Sequence, residues 1–249
     1  MSASDAEMEE LLAVGRGISQ LLGSDGVSER YLAHFAALAQ RERQDGGRES
    51  GWPAGVRQAA RGLEQLGLGA VARIYRVAST YYSWPLAERA LCMAAPSPAH
   101  LCKLVVLENK RWRPSRSPVR WANARHYCVV VQYVHSVSTA AMVDFVRALD
   151  GNSVAKKHFN FRLASPETAL ELTGYGRNAV SPIGMLTPLP VILCAAIAGL
   201  SPPVLWLGAG HVDYKLALPV QAFVDATQCL VADISVPAPE DSQPESLDA

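Results

Sequence analysis

Basic residues and tryptophans alternate between residues 103 and 125, and their types suit the binding of a nucleic acid. Seven bases stand there against one acid, Glu108. The bases are Lys103, Lys110, Arg111, Arg113, Arg116, Arg120 and Arg125, and the tryptophans are Trp112 and Trp121. Pro114 and Pro118 keep the middle of the stretch out of regular structure, which predicts a loop. Arginines and exposed indoles on a loop suit phosphate contacts and stacking on unpaired bases, although a solvated loop has the same composition.

Lys103 differs from the other bases because it begins an apolar strand, Lys-Leu-Val-Val-Leu, where it would share a face with Val105. A lysine partly buried at the start of a strand is costly unless it meets an anion. Lys103 is therefore a candidate site residue. Two glycine-rich turns, 174–184 and 208–211, are further candidates because glycine lets backbone amides approach a ligand closely. His211 in the second turn is a candidate acid or base, or a loop histidine bonded to the backbone.

Three other kinds of site find less support in the sequence. The pairs His100–Cys102 and His126–Cys128 could serve a zinc ion, but both abut apolar strands, where cysteine commonly packs as a small hydrophobe. The G-x-G-x-x-A match at 67–72 follows a predicted helix instead of a strand, which indicates a helix C-cap and not a dinucleotide site. The sequence contains neither a G-x-S-x-G elbow nor a P-loop.

The formal net charge of zero hides an uneven distribution along the chain. Residues 1–50 hold five bases and nine acids, 51–236 hold 18 bases and ten acids, and 237–249 hold four acids, giving −4, +8 and −4. A Gly/Pro-rich stretch follows the first segment. We predict a helical extension over 1–50, a central domain over 51–236 and an acidic disordered tail over 237–249. The basic middle is compatible with an anionic ligand.

The compartment is predicted from the cysteines and from the start of the chain. Five cysteines without a Cys-x-x-Cys pair favour a reducing compartment, and the acidic first residues do not resemble a targeting leader. The charge-free interval 178–212 contains five prolines, so it is expected to be buried core or the wall of an uncharged pocket rather than a membrane span. We expect a cytoplasmic protein.

Helical and alternating patterns follow each other at irregular intervals, which is typical of the α+β class. Helices are expected near 54–66, 84–94, 138–149, 166–173 and 219–227. Strands are expected near 72–78, 103–107, 126–134, 204–207, 212–218 and 229–235.

Five ordered blocks over residues 70–236 resemble the YbaK-like aminoacyl-tRNA deacylases, the family of the prolyl-tRNA editing proteins and of the editing domain in bacterial prolyl-tRNA synthetases. The blocks are Lys103 at the head of Lys-Leu-Val-Val-Leu, Arg-Leu-Ala-Ser-Pro-Glu at 162–167 with Glu-Leu-Thr-Gly-Tyr at 171–175, Val-Ser-Pro-Ile-Gly at 180–184, Trp-Leu-Gly-Ala-Gly at 206–210 and Leu-Val-Ala-Asp-Ile-Ser at 230–235.

The resemblance implies a compact α/β domain of α+β type, with a curved mixed, largely antiparallel sheet and flanking helices. It implies hydrolysis of the ester between a wrong amino acid and the 3′-terminal adenosine of a tRNA, with Ala-tRNA(Pro) or Cys-tRNA(Pro) as the expected substrate. Lys103 would be catalytic and hold the terminal phosphate and ribose, and no metal or cofactor is expected. The expected substrate-binding residues are Gly174, Tyr175, Gly176, Asn178, Ser181, Pro182, Gly184, Gly208, Gly210 and His211.

Two departures from the family pattern bear on the substrate and on the partners. Arg177-Asn178-Ala179 replaces a frequent Gly-Gly pair, which leaves the amino acid removed open, although asparagine tolerates a left-handed backbone. The loop at 109–125 is long, and Lys110, Arg111, Arg113, Arg116 and Arg120 are expected to bind the acceptor stem.

Residues 1–50 could contact prolyl-tRNA synthetase or a multi-synthetase complex. The alternative is a non-catalytic tRNA-binding or assembly subunit of a synthetase complex.

Overall fold

The computed structural model describes residues 51–114 and 121–238. The expected helical extension, most of the acidic tail, and Arg116 and Arg120 lie outside the described residues. The described ranges contain six helices: α1 Ala54–Gln65, α2 Leu86–Cys92, α3 Thr139–Leu149, α4 Pro166–Thr173, α5 Ala195–Ala198 and α6 Val220–Thr227. None of the helices in these ranges is both long and apolar enough to cross a membrane.

Ten strands are interleaved with these helices in the described ranges. They are β1 Arg73–Arg76, β2 Cys102–Asn109, β3 His126–Gln132, β4 His135–Val137, β5 Phe161–Leu163, β6 Val191–Cys194, β7 Val204–Gly208, β8 Tyr214–Pro219, β9 Leu230–Ala232 and β10 Ser235–Pro237. The predicted helices and strands all have counterparts here, with ends that differ by a few residues.

The main sheet has five strands in the order β5-β2-β3-β6-β9. In it β2 pairs antiparallel with β3 and β5, whereas β6 lies parallel to both β3 and β9. A second, antiparallel sheet has the order β1-β8-β7, and β4 pairs antiparallel with β10. The prediction of an α/β domain with a mixed, largely antiparallel sheet is thereby confirmed.

The sequence pattern predicted neither helix α5 nor the strands β4, β5 and β6. The longest of these three strands is β6. All four of its residues are buried, inside the charge-free interval 178–212. A strand covered on both faces has no polar alternation, so an apolar run of this kind cannot be told from buried helix by periodicity. The predicted strand at 229–235 is also two short strands, β9 and β10, which pair in different sheets.

Helix α4 begins and ends where its sequence signals indicate. The Ser165 hydroxyl accepts a hydrogen bond from the Thr168 N–H at 3.2 Å, Pro166 occupies the first turn, and Gly174 closes the helix with a left-handed φ of 78°. A serine cap satisfies one of the unpaired N–H groups at the start of a helix, and glycine adopts a left-handed backbone without strain. The first glycine-rich turn therefore begins at a defined position, the C-terminal end of α4 at Gly174.

The two sheets meet at the start of β2. Leu101 and Trp206 form an isolated parallel bridge there. On one side of the bridge, Cys102 and Leu207 belong to the larger hydrophobic core, which surrounds the five-stranded sheet. On the other side, Leu101 and Trp206 belong to a smaller core with Tyr81, Met93 and Ala217, among others. We refer to this place as the seam.

Helix α1 lies in direct backbone contact with both glycine-rich turns. A methyl group on Gly55 or on Gly210 would overlap the carbonyl oxygen of the other residue. A methyl group on Gly62 would lie 2.6 Å from the Cα of Gly184, again too close for a real contact. The helix can reach the turns only because hydrogen occupies these positions, so the glycines fix its distance from them.

We expect Gly210→Ala to destabilise the protein by about 2–4 kcal/mol, because it combines overlap with the Gly55 carbonyl and strain at a φ of 84°. Gly67→Ala is the matched control, since Gly67 has a similar φ of 69° but nothing within 4 Å of the added methyl group. It should cost only about 1 kcal/mol. Urea unfolding measures the free energy of unfolding of both variants. Equal losses of stability in Gly210→Ala and Gly67→Ala would show that the close contact of Gly210 with α1 contributes nothing.

Candidate functional site

Lys103 is the second residue of β2, opposite Val131 of β3, and its side chain is half-buried. Its ammonium nitrogen lies 5.7 Å from the centre of the Tyr133 ring, within the range of a cation–π interaction. Tyr133 in turn shares a side-chain hydrogen bond with Tyr82. Burial raises the pKa of Tyr133 well above its ordinary value, so its hydroxyl keeps its proton.

Lys215 of β8 is a second lysine at the same tyrosines. It is only 5% exposed, and its Nζ donates to the Tyr82 hydroxyl at 2.9 Å and to the Val212 carbonyl at 2.8 Å. The same nitrogen lies 4.4 Å from the centre of the Tyr82 ring and 5.1 Å from that of Tyr81. Burial lowers the pKa of Lys215, and the neighbouring Tyr82 hydroxyl opposes this effect.

Arg89 of α2 is the third cation of this group, and it is fully buried. Its guanidinium donates to the carbonyls of Trp84, at 2.8 Å, and of Tyr82. It also lies between 5.2 and 5.8 Å from the centres of three tyrosine rings, those of Tyr81, Tyr82 and Tyr133. Arg89 thus fixes the turn at 81–83 that brings Tyr82 to Lys215. We call Lys103, Arg89 and Lys215 with these three tyrosines the cation–tyrosine cluster.

A small cavity lies beside the cation–tyrosine cluster at the seam. It is lined by Tyr81, Tyr82, Leu101, Cys102, Tyr133, Trp206, Leu207, Gly208 and Lys215. Its free volume is about 10 Å³, which is room for one water molecule or one ligand oxygen. Tyr82, Tyr133 and Gly208 are partly exposed. The charge-free interval contributes Trp206 and Gly208 to this wall, but Lys215 gives the cavity a cation, so it is not the uncharged pocket expected from the sequence.

The two glycine-rich turns lie side by side at this cavity. Asn178 has the left-handed backbone anticipated for it, with a φ of 60°, and its carbonyl accepts from the Tyr82 hydroxyl at 3.1 Å. The N–H of Gly210 donates to the Ala179 carbonyl at 3.1 Å. Gly208 lies so close to the Val180 carbonyl that a methyl group there would stand 2.9 Å from its oxygen. Two carbonyls of the first turn are therefore held by hydrogen bonds from Tyr82 and from the second turn, and the Val180 carbonyl packs closely against Gly208.

The ends of the first turn are tied together by Gln58 of α1. Its Nε2 donates to the carbonyl of Thr173 at 2.9 Å and to that of Gly184 at 2.7 Å. The Tyr175 hydroxyl also crosses the turn and donates to the Ile183 carbonyl at 2.5 Å. Burial raises the pKa of Tyr175 far above its ordinary value, so this donor is permanent. The turn at 174–184 is a braced element in this structure.

The remaining expected substrate-binding residues differ in their exposure. Tyr175, Ser181 and Pro182 are buried, and the Ser181 hydroxyl accepts from the Ile183 N–H at 3.3 Å. Gly176 is exposed, while Gly174, Gly184, Gly210 and His211 are partly exposed. The His211 Nδ1 accepts from the Asp213 N–H at 3.1 Å, which leaves its Nε2 to carry the proton of the neutral ring. Ser181 and Pro182 therefore shape the turn from inside.

Glu108 of β2 forms ion pairs with two bases of the basic loop. Lys110 pairs with one carboxylate oxygen, and Arg125 donates to the other at 2.8 Å. These two hydrogen bonds hold the pKa of Glu108 below its ordinary value. Arg111 and Arg113 are exposed, and the Trp112 indole, also exposed, donates to the Asn123 carbonyl at 3.0 Å. Of the described bases of the basic loop, Arg111 and Arg113 are thus the ones free of the Glu108 ion pairs and exposed to a ligand.

In the two His-x-Cys pairs, His100 and both cysteines have structural partners, whereas the buried Nε2 of His126 has none. Cys102 donates to the His100 carbonyl at 3.6 Å, and the Cys128 sulfur lies 3.3 Å from that of Met185. The two ring nitrogens of His100 contact the Ser97 hydroxyl at 3.0 Å and the Pro202 carbonyl at 3.1 Å. Burial raises the pKa of Cys102 far above its ordinary value and that of Cys128 to about 12. Residues 51–114 and 121–238 contain no group of three or more His, Cys, Asp or Glu side chains placed to hold a metal ion.

Sequence reasoning missed six residues of this region: Gln58, Tyr81, Tyr82, Arg89, Tyr133 and Lys215. Lys215 could have been found, since it is a lysine within an apolar strand, which is the signal that singled out Lys103. Arg89 stands in an ordinary helical pattern, and nothing near Gln58 in the sequence indicates its partners, which are 115 and 126 residues away. Only the assembled fold brings these side chains to the turns.

The fold and site define a mixed α/β domain with a cation–tyrosine cluster beside two glycine-rich turns. Neither a family model nor a curated protein sequence matches the chain. Solved structures do resemble it. One is a proposed trans-editing enzyme for prolyl-tRNA synthetase, with a TM-score of 0.59, 20% identity, and coverage of 74% of this chain and 99% of that one.

Two further structures share this likeness. One belongs to work on computationally designed scaffolds for epitope presentation, with a TM-score of 0.58, 16% identity, and coverage of 75% of this chain and 100% of the other. The second is a hypothetical protein with a TM-score of 0.53, 20% identity, and coverage of 72% and 99%. At these identities the likeness establishes a fold of the YbaK-like type.

We expect Gln58→Leu to destabilise the protein by about 1–3 kcal/mol, because it leaves two partly buried carbonyls without their donor. Amide hydrogen exchange within 174–184 should accelerate at the same time. Gln65→Leu, at an exposed position on the same helix, is the control and should change neither quantity. If amide hydrogen exchange within 174–184 is equally fast in Gln58→Leu and Gln65→Leu, Gln58 does not brace the turn.

Proposed function

We propose that the protein is a trans-editing hydrolase that deacylates mischarged tRNA, with Ala-tRNA(Pro) or Cys-tRNA(Pro) as its substrate. The observation that carries the proposal is the position of Lys103. This lysine is the second residue of a sheet strand, is half-buried, and contacts Tyr133, which lines the cavity. The second glycine-rich turn reaches this cavity through Gly208, and the first is bonded to its wall through Tyr82. The likeness of the whole domain to a proposed trans-editing enzyme for prolyl-tRNA synthetase supports the same function.

The chemistry of the ester suits a site of this composition. An aminoacyl ester is already activated, so a positioned water and donors aimed at the developing oxyanion can supply the acceleration without a nucleophilic side chain. In this proposal Lys103 binds the terminal phosphate and ribose and orients the ester. The braced turn at 174–184 presents its backbone to the aminoacyl group in a fixed position, which avoids reorganisation during the reaction.

Size selection accounts for the choice of alanine or cysteine. A tight site rejects a larger cognate residue by overlap, whereas a roomy pocket rejects a smaller residue only weakly. Asn178 and Ala179 replace glycines in the first turn, and their carbonyls are held by Tyr82 and Gly210. In this proposal the side chains that stand in place of glycine leave room only for a short aminoacyl side chain.

Lys103→Ala is expected to reduce kcat/KM for deacylation by about a hundredfold or more, as removal of one transition-state interaction commonly does. The measurement is the release of labelled amino acid from a panel of mischarged tRNAs, including alanyl- and cysteinyl-tRNA(Pro). Lys156→Ala is the control, because Lys156 is an exposed lysine paired with Asp144 at 3.1 Å. Undiminished hydrolysis in the Lys103 variant would refute the mechanism.

The same panel separates the enzyme from the alternative, a non-catalytic tRNA-binding or assembly subunit. Tight binding of tRNA without release of amino acid from any substrate would favour that alternative. Contact of residues 1–50 with a synthetase, and a cytoplasmic location, remain parts of the proposal.

The basic loop should contribute a salt-dependent share of tRNA binding. We expect the double variant Arg111→Gln/Arg113→Gln to weaken tRNA binding and to reduce the slope of log affinity against log salt by roughly 0.7–0.9 for each phosphate that the variant no longer neutralises. Lys156→Gln is the control and should leave the slope unchanged. An unchanged slope in the double variant would show that these arginines do not contact phosphates.

A further inference from the structure

A buried hydrogen-bond donor without an acceptor lies at the cavity of the seam. Trp206 is only 2% exposed and lines the cavity, yet its indole N–H has no hydrogen-bond partner. The Lys215 ammonium has three N–H groups, and its two acceptors are the Tyr82 hydroxyl and the Val212 carbonyl. One of the three N–H groups therefore remains for a ligand. Buried donors are almost always satisfied, so these two indicate a missing acceptor.

Arg89 adds a third unsatisfied donor behind the cavity wall. Its Nη1 is buried and has no partner, although the side chain donates to the carbonyls of Trp84 and Tyr82. Its guanidinium stacks on Tyr81, Tyr82 and Tyr133, which all line the cavity. The three groups are all donors, so the ligand that would satisfy them must offer an acceptor atom.

The charges around the cavity favour a negatively charged acceptor. Lys103, Arg89 and Lys215 all contact its tyrosines, and none of the three belongs to an ion pair within the described ranges. The Asp213 carboxylate raises the pKa of Lys215, but burial lowers this pKa more strongly. A buried cation without a counter-ion is costly, and a bound anion offsets that cost.

We infer that the cavity is an anion subsite that receives one oxygen atom of a phosphate or of another oxyanion. The volume of about 10 Å³ fits a single oxygen and excludes a whole side chain. Lys215 and the Trp206 indole donate to this oxygen, and Arg89 and Lys103 supply positive potential. The Tyr82 hydroxyl, which accepts from Lys215 and donates to Asn178, links the bound oxygen to the first glycine-rich turn.

This subsite does not require the deacylase reaction, and its further assignment to tRNA rests on the proposed function. In that setting the oxygen comes from one of two sources, the phosphate of the terminal nucleotide or the carbonyl of the ester, where negative charge develops during hydrolysis. Both are oxygen acceptors that gain from buried donors. The aminoacyl ammonium group would be repelled by Lys215, so the amino end of the substrate must lie away from the cavity.

The test uses the indole N–H signals of the full chain in ¹H–¹⁵N spectra during titration with inorganic phosphate. Trp206→Phe assigns the Trp206 signal among those of the five tryptophans. This signal should shift and saturate, whereas that of Trp112, already bonded to the Asn123 carbonyl, should not move. Lys215→Met should weaken phosphate binding roughly tenfold to a hundredfold, and Lys156→Met should leave it unchanged.

Two further ligands identify the source of the oxygen. Adenosine 5′-monophosphate supplies a phosphate, and 3′-alanylamido-3′-deoxyadenosine supplies a carbonyl and resists hydrolysis. A Trp206 shift with the first alone assigns the subsite to phosphate, and a shift with both shows that the ester carbonyl also reaches it. A shift with the second alone contradicts an anion subsite, because its carbonyl is neutral.

A Trp206 signal that no ligand moves overturns the inference, and so does phosphate binding of equal strength in wild type and Lys215→Met. The titration of the wild-type protein tests the inference by itself. It therefore remains decisive even if Lys215→Met does not fold. The proposed function is tested separately, by deacylation with the wild-type protein. If deacylation is absent but phosphate shifts the Trp206 signal, the proposed function fails and the anion subsite stands.

Discussion

The backbone contact between α1 and the two glycine-rich turns is the constraint on which the rest of this site depends. Gly55 meets Gly210 and Gly62 meets Gly184 at distances that admit no side chain. That closeness allows Gln58, one helical turn after Gly55, to reach both ends of the first turn. Once the turn is held there, its carbonyls at 178 and 179 meet Tyr82 and Gly210. Helix α1 thus positions the two glycine-rich turns, although it is not part of either.

The cation–tyrosine cluster shows how the fold accommodates buried positive charge. Arg89 and Lys215 are buried, and tyrosine rings and backbone carbonyls surround them where a carboxylate would usually stand. Cation–π contacts and hydrogen bonds offset part of the desolvation cost, but the donors left over show that the offset is incomplete. Local conflicts of this kind between burial and polarity are more common at functional sites than in ordinary cores.

The departure at 177–179 from the resembled family has a local physical explanation. Asn178 adopts a left-handed φ of 60°, a conformation for which asparagine is among the better-suited residues after glycine. Its carbonyl accepts from Tyr82, and the next carbonyl accepts from Gly210. The turn therefore keeps a glycine-like backbone while it carries larger side chains.

The sequence by itself determined the local features of this protein. The Ser165 cap and Gly174 end of α4 and the strand that contains Lys103 follow from neighbours a few residues apart, because capping and periodicity act over short range. Only the tertiary structure decided that β6 lies parallel to β3 and β9, that Gln58 binds Gly184 across 126 residues, and that Tyr82 binds Lys215 across 133. Such contacts leave no pattern in the chain, since each arises where separately formed elements are packed together.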